Sequence, residues 1–75
     1  MLSRGKYKPK YRTGDILTNG YEHFQVLFYS DKEYMLQKVQ KSVSRWELTE
    51  NSKEIKSDVL VVDERMKKVG HQQVF

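Results

Sequence analysis

With 75 residues, the chain forms one small domain, and a domain of this size hides only about 60% of the surface its unfolded chain exposes. It contains no cysteine, which excludes disulfide staples and thiolate metal sites, and no run approaches the ~18 apolar residues of a membrane span. The formal charge of +4, from 14 Lys and Arg against 10 Asp and Glu, is unevenly placed. Residues 1–12 carry five cations and no acid, so the remaining nine cations and ten acids leave the body at −1.

The opening stretch SRGKYKPKYR alternates cations with tyrosines around Pro9. Pro9 lacks a backbone donor and holds Lys8 extended, so residues 1–10 read as a basic, flexible arm. Ile16 and Leu17 make a short apolar strand, and Asn19-Gly20 supplies the positive-φ pair of a tight turn. HFQVLFY follows as a strand rich in aromatic and β-branched residues. Period-two alternation puts Phe24, Val26 and Phe28 on one face, in the core, and Gln25, Leu27 and Tyr29 on the other.

Ser30 to Glu33 is a polar turn. The strand YMLQKV then sets Tyr34 and Leu36 against Met35 and Val39. QKSVS is a connection or a continuation of that strand, and RWELT is a fourth strand on which Trp46 and Leu48 share a face. ENSKE reads as a loop. The continuous apolar run Val59 to Val62 is compatible with a strand or with a helix capped at Ser57. Branched residues in succession favour the strand, followed by a helical turn at Asp63 to Met66 and a last strand near Lys68 and Val69. Gly70 ends the ordered part, and residues 71–75 form a frayed tail.

Tyr11, Gly14-Asp15, the aliphatic pair Ile16-Leu17, Phe24-x-Val26 and Tyr34-x-Leu36 carry a resemblance, and the closing VDERMKKV extends it. Together they resemble the opening and closing of small SH3-like barrels of bacteriophage and bacterial type. The resemblance spans residues 11–70. It implies an all-β fold, a small SH3-like five-stranded barrel or roll with a short helical turn near the C-terminus and a basic N-terminal arm. It also implies a phage-type accessory protein, and it transfers no catalytic residue.

Function is read from charge and aromatics. Arg4, Lys6, Lys8, Lys10 and Arg12 can neutralise phosphates while Tyr7 and Tyr11 stack on bases, with Lys38, Lys41 and Arg45 presented by the folded body. Five phosphate contacts on a duplex would weaken binding roughly 500-fold between about 50 and 200 mM salt. The bland reading of the same residues is a solvated tail. Tyr21, Tyr29 and Trp46 are the candidate protein-contacting residues, although Trp46 also suits the core.

Glu22-His23 and Asp31/Glu33 are the acidic neighbourhoods nearest to a catalytic or metal pattern, and no metal-ligand spacing links His23 to His71. Asp63-Glu64 reads as charge at a helix start. The chain lacks a nucleophile elbow and a phosphate loop. The expectation is therefore a non-enzymatic binding module without metal or cofactor, a monomer or homodimer that contacts nucleic acid weakly and salt-sensitively. The alternative is an inhibitor or modulator that docks on a host protein through an exposed Tyr-rich face or an edge strand. With no apolar segment after the basic start, the expected location is the cytoplasm (of the host, if phage-encoded), and Met1 reads as the start of a whole small gene product.

Overall fold

The computed structural model describes residues 9–50 and 52–74. Six strands and one helix follow in the order β1 (Asp15–Thr18), β2 (His23–Tyr29), β3 (Glu33–Lys41), β4 (Trp46–Leu48), β5 (Glu54–Asp58), α1 (Val59–Arg65) and β6 (Lys67–His71). All pairings are antiparallel, in the order β4-β3-β2-β1-β6, with β5 also paired to β3. The mostly antiparallel β architecture agrees with the sequence reading. The expected closed, five-stranded barrel is met only in part, because the sheet has six strands and is open.

Side chains that cap backbone groups set the turns. Between β1 and β2, Asn19 Oδ1 accepts from the N–H groups of Tyr21 and Glu22 at 2.9 and 2.8 Å, an Asx turn. Between β2 and β3, Ser30 Oγ accepts from Lys32 and Glu33 N–H, each at 3.2 Å. β4 and β5 both run along the same side of β3. The chain between them folds back on Lys38, whose carbonyl accepts from Thr49 N–H and from Ser52 Oγ.

The sheet is buried on both faces. On the helix face, Leu17, Val26, Tyr34 and Leu36 meet Val59 and Val62 of α1, with Tyr11 and Phe24 completing the cluster. On the opposite face Ile16, Met35 and Val39 are also buried. The strand expected at Val59 to Val62 is instead the first turn of α1, and the strand lies just before it. Asp58, rather than Ser57, caps the helix by accepting from Leu60 N–H at 2.8 Å. Val59, Val62 and Met66 then fall at helical spacing against the core. Tertiary burial at that period outweighs the weak preference of branched residues for strands.

A second correction concerns Phe28. Val26 pairs with Leu36 but Phe28 pairs with Met35, so Leu27 is an extra residue in β2. This β-bulge reverses the alternation. Phe28 turns outward, 55% exposed, and Tyr29 takes its place against the core. The β1–β6 pair has its own irregularity between Ile16 and Leu17, and such bulges add twist and bend.

One hydroxyl joins three segments. Tyr34 is fully buried; its OH accepts from Tyr11 N–H at 2.9 Å and donates to Asp63 Oδ1 at 2.6 Å. Tyr11 OH in turn donates to the Met66 carbonyl at 2.7 Å, and Lys10 N–H reaches Asp63 Oδ2 at 3.2 Å. Asp63 thus serves as a bracket between α1 and the N-terminal segment, not as charge at the helix start. Tyr34→Phe leaves the buried Tyr11 donor unpaired and is expected to destabilise the fold by about 1–3 kcal/mol, read as a lower midpoint in urea with an unchanged slope.

Candidate functional site

The face opposite α1 carries an open cleft of about 460 Å³, with Gln25, Gln37 and Val39 among the sheet residues lining it. Trp46 and Leu48 of β4 form one wall, and Gln72 and Val74 belong to the lining too. The frayed tail expected after Gly70 is therefore corrected over the first residues: His71 belongs to β6 and Gln72 is anchored. Gln72 N–H donates to the Gly14 carbonyl at 2.8 Å. Its carbonyl accepts from Gln25 Nε2 at 2.6 Å.

The Gln72 side chain bridges the curled sheet. Its Oε1 accepts from Trp46 N–H at 2.7 Å, and its Nε2 donates to the Trp46 carbonyl at 2.8 Å. β4 and β6 end the sheet path, so one amide side chain spans its two ends by imitating a backbone pair. The Trp46 indole lies across β6 at Gly70, where an added Cβ would stand 3.4 Å from Nε1. Its ring meets His23 at 4.8 Å between centroids, and Lys41 Nζ stands over it at 5.1 Å. Arg45 lies at the rim of the same cleft.

The sequence-predicted residues divide unevenly over this geometry. Arg4, Lys6, Tyr7 and Lys8 lie outside the described residues. Tyr11 is buried at 4% exposure with both polar groups bonded, so its ring is part of the core and is not free for stacking. Arg12 is exposed, its guanidinium 5.5 Å from the Tyr29 ring, and Lys10 caps Tyr11 similarly. Arg45 lines the cleft with Trp46, and Lys41 stands over the indole. Lys38 does not join them, because strand alternation turns it to the helix face, where it is paired with Glu22.

Nor do Tyr21, Tyr29 and Trp46 make one surface. Tyr21 is 93% exposed at the β1–β2 turn, whereas Tyr29 ends β2 and packs against Tyr34 on the helix face. Trp46 is half-buried on the cleft face.

A cluster the sequence reading missed joins Asp15 to His71 and Lys68. Asp15 Oδ1 receives His71 Nδ1 at 2.9 Å and Lys68 Nζ at 3.4 Å, and Oδ2 accepts from Arg12 N–H at 3.0 Å. Burial alone would raise the Asp15 carboxyl. The hydrogen bonds from Arg12, His71 and Lys68 outweigh that burial and leave it below its ordinary value. Gly14 makes room beside it: φ is +96°, and a Cβ there would come within 2.7 Å of His71 Cε1. Asp15 and His71 are 56 positions apart, and no local signal connects them.

No protein-family model matches the chain, and neither the characterised proteins nor the solved structures offer a match. No helix among the described residues is long and apolar enough to cross a membrane.

Gln72→Ala removes both bonds to the Trp46 backbone and is expected to destabilise by about 1–3 kcal/mol, with a red shift of tryptophan emission as the indole gains water. A carboxyl with a lowered pKa contributes stability that is complete above the unfolded value and is lost as pH falls through the folded one. Stability is therefore expected to decline below about pH 4. In Asp15→Asn this component of the pH dependence disappears, as chemical denaturation across a pH series would report.

Proposed function

We propose that this chain is a non-enzymatic binding module for single-stranded nucleic acid, a phage-type accessory protein on an SH3-like scaffold. The cleft face stacks an unpaired base on Trp46 and pairs phosphates with Lys41 and Arg45. The observation that carries this reading is the half-buried indole in the wall of an open cleft, with Lys41 over its ring and Arg45 in the same lining. Aromatic platforms beside positive charge bind single strands with little sequence preference.

The cleft lining adds Gln37 and Gln73, amides that can donate to and accept from base edges. Lys41 is exposed, and its flexible stem lets the ammonium swing from the ring to a phosphate. The cations of residues 1–12 supplement the cleft as a second, sequence-independent phosphate contact. Tyr11, held in the core, leaves Trp46 as the stacking residue of the body.

The chain's one tryptophan is also the probe. Titration with a single-stranded homopolymer at low salt is expected to quench its emission. By filter binding, Trp46→Ala weakens affinity about 5- to 150-fold, the value of one stacked base. Lys41→Ala and Arg45→Ala each reduce the salt slope by about 0.7 while the circular dichroism stays unchanged. Absence of quenching and of filter retention at about 50 mM salt overturns the reading and leaves docking on a host protein in its place.

A further inference from the structure

We infer that β5 is a self-complementary edge through which two copies of this chain pair, strand to strand, into a two-fold symmetric dimer. β5 pairs with β3 on one side, and among the described residues no strand meets its other side. The hydrogen bond from Val59 N–H to the Lys32 carbonyl at 3.0 Å sets the phase of that ladder. Antiparallel pairing alternates the direction of backbone groups, so Ser57 and Ile55 bond toward β3. The N–H and C=O of Glu54 and Lys56 therefore point outward, a row of the kind that templates pairing with another chain.

The side chains select both partner and register. Glu54, Ile55 and Lys56 are all exposed, Ile55 at 40%. When β5 is laid antiparallel on its own copy with Ile55 opposite Ile55, Glu54 of each copy falls opposite Lys56 of the other, twice by symmetry. This register also puts the outward-pointing groups of Glu54 and Lys56 directly opposite each other as hydrogen-bonded pairs. Ile55 becomes the closely spaced, non-hydrogen-bonded pair, where cross-strand side chains approach most. Centring the pair on Lys56 would oppose lysine to lysine and Glu54 to Asp58; centring it on Glu54 would oppose glutamate to glutamate. Like charges directly opposite are destabilising, so of these three registers the one centred on Ile55 is favoured.

Ile55 belongs by register to the helix face, opposite Leu36. On that face α1 leaves Leu60 and Val61 exposed at 36% and 50%, adding apolar area beside the seam. Five residues of edge strand make a small interface, and small interfaces are dissociable. Protein concentration is thus the variable to scan.

The test uses the full chain, nuclease-treated and without added nucleic acid, so its outcome is separable from the reading of the cleft. Sedimentation across a concentration series is expected to show monomer converting to dimer, with slower amide exchange at Glu54 and Lys56 as dimer forms. Lys56→Glu, which sets acid opposite acid at both charge pairs of the seam, abolishes the dimer, and so does Glu54→Lys. The double variant carrying Glu54→Lys and Lys56→Glu restores it, which a merely structural role for either residue would not produce. A chain that stays monomeric to its solubility limit overturns the proposal. So does a dimer indifferent to Lys56→Glu, which would place the contact on another surface or on residues 1–8.

Discussion

Among the described residues, one sheet with two apolar faces is covered by a seven-residue helix, Tyr11 and a short C-terminal segment, and this is the constraint from which the structure follows. The helix face is closed by α1 and Tyr11, tied together through the Tyr34 hydroxyl and Asp63. The opposite face is closed by Trp46 and by the segment beginning at Gln72. Among the described residues, no buried side-chain nitrogen or oxygen lacks a partner. In so small a core an unpaired polar group would take a large share of the total stability.

The cover on the two faces differs in kind, and that difference creates the candidate site. α1 brings aliphatic side chains at helical spacing and seals its face. The C-terminal segment brings amides, and amides cover a sheet only where they can bond to it. Gln72 does so at Trp46 and through its carbonyl at Gln25, leaving an open cleft between β4 and the segment. A tryptophan held by its backbone at the edge of such a cleft keeps part of its ring toward water, where Lys41 approaches it.

An open sheet also has edges to manage. The amide bridge occupies β4 and the end of β6, while β5 keeps outward backbone groups beneath alternating charge. Alternation of sign protects an edge from unlike strands and at the same time makes it complementary to itself, the device by which charge favours one partner over others. Joining two bodies along β5 would place two clefts on one particle, and linked sites bind a shared partner more tightly than either alone.

Much of the architecture was legible from local pattern. β2, β3, β4 and β6 follow from alternation and turn residues, because strand and turn preferences act between neighbours in the chain. The segregation of positive charge in residues 1–12 is likewise a property of the sequence itself. Three things were decided only by tertiary structure. Val59 to Val62 form a helix because burial against β3 and the Asp58 cap outweigh branched-residue propensity. Phe28 faces outward because a bulge at Leu27 reverses the period, and such a bulge belongs to the bending of the whole sheet, which no local window records. Trp46, Gln72, Asp15 and His71 acquire their roles by meeting across the fold. The residues that build the cleft are separated by tens of positions, so their spacing carries no motif, and only the curling of the open sheet brings Trp46 and Gln72 within hydrogen-bonding distance.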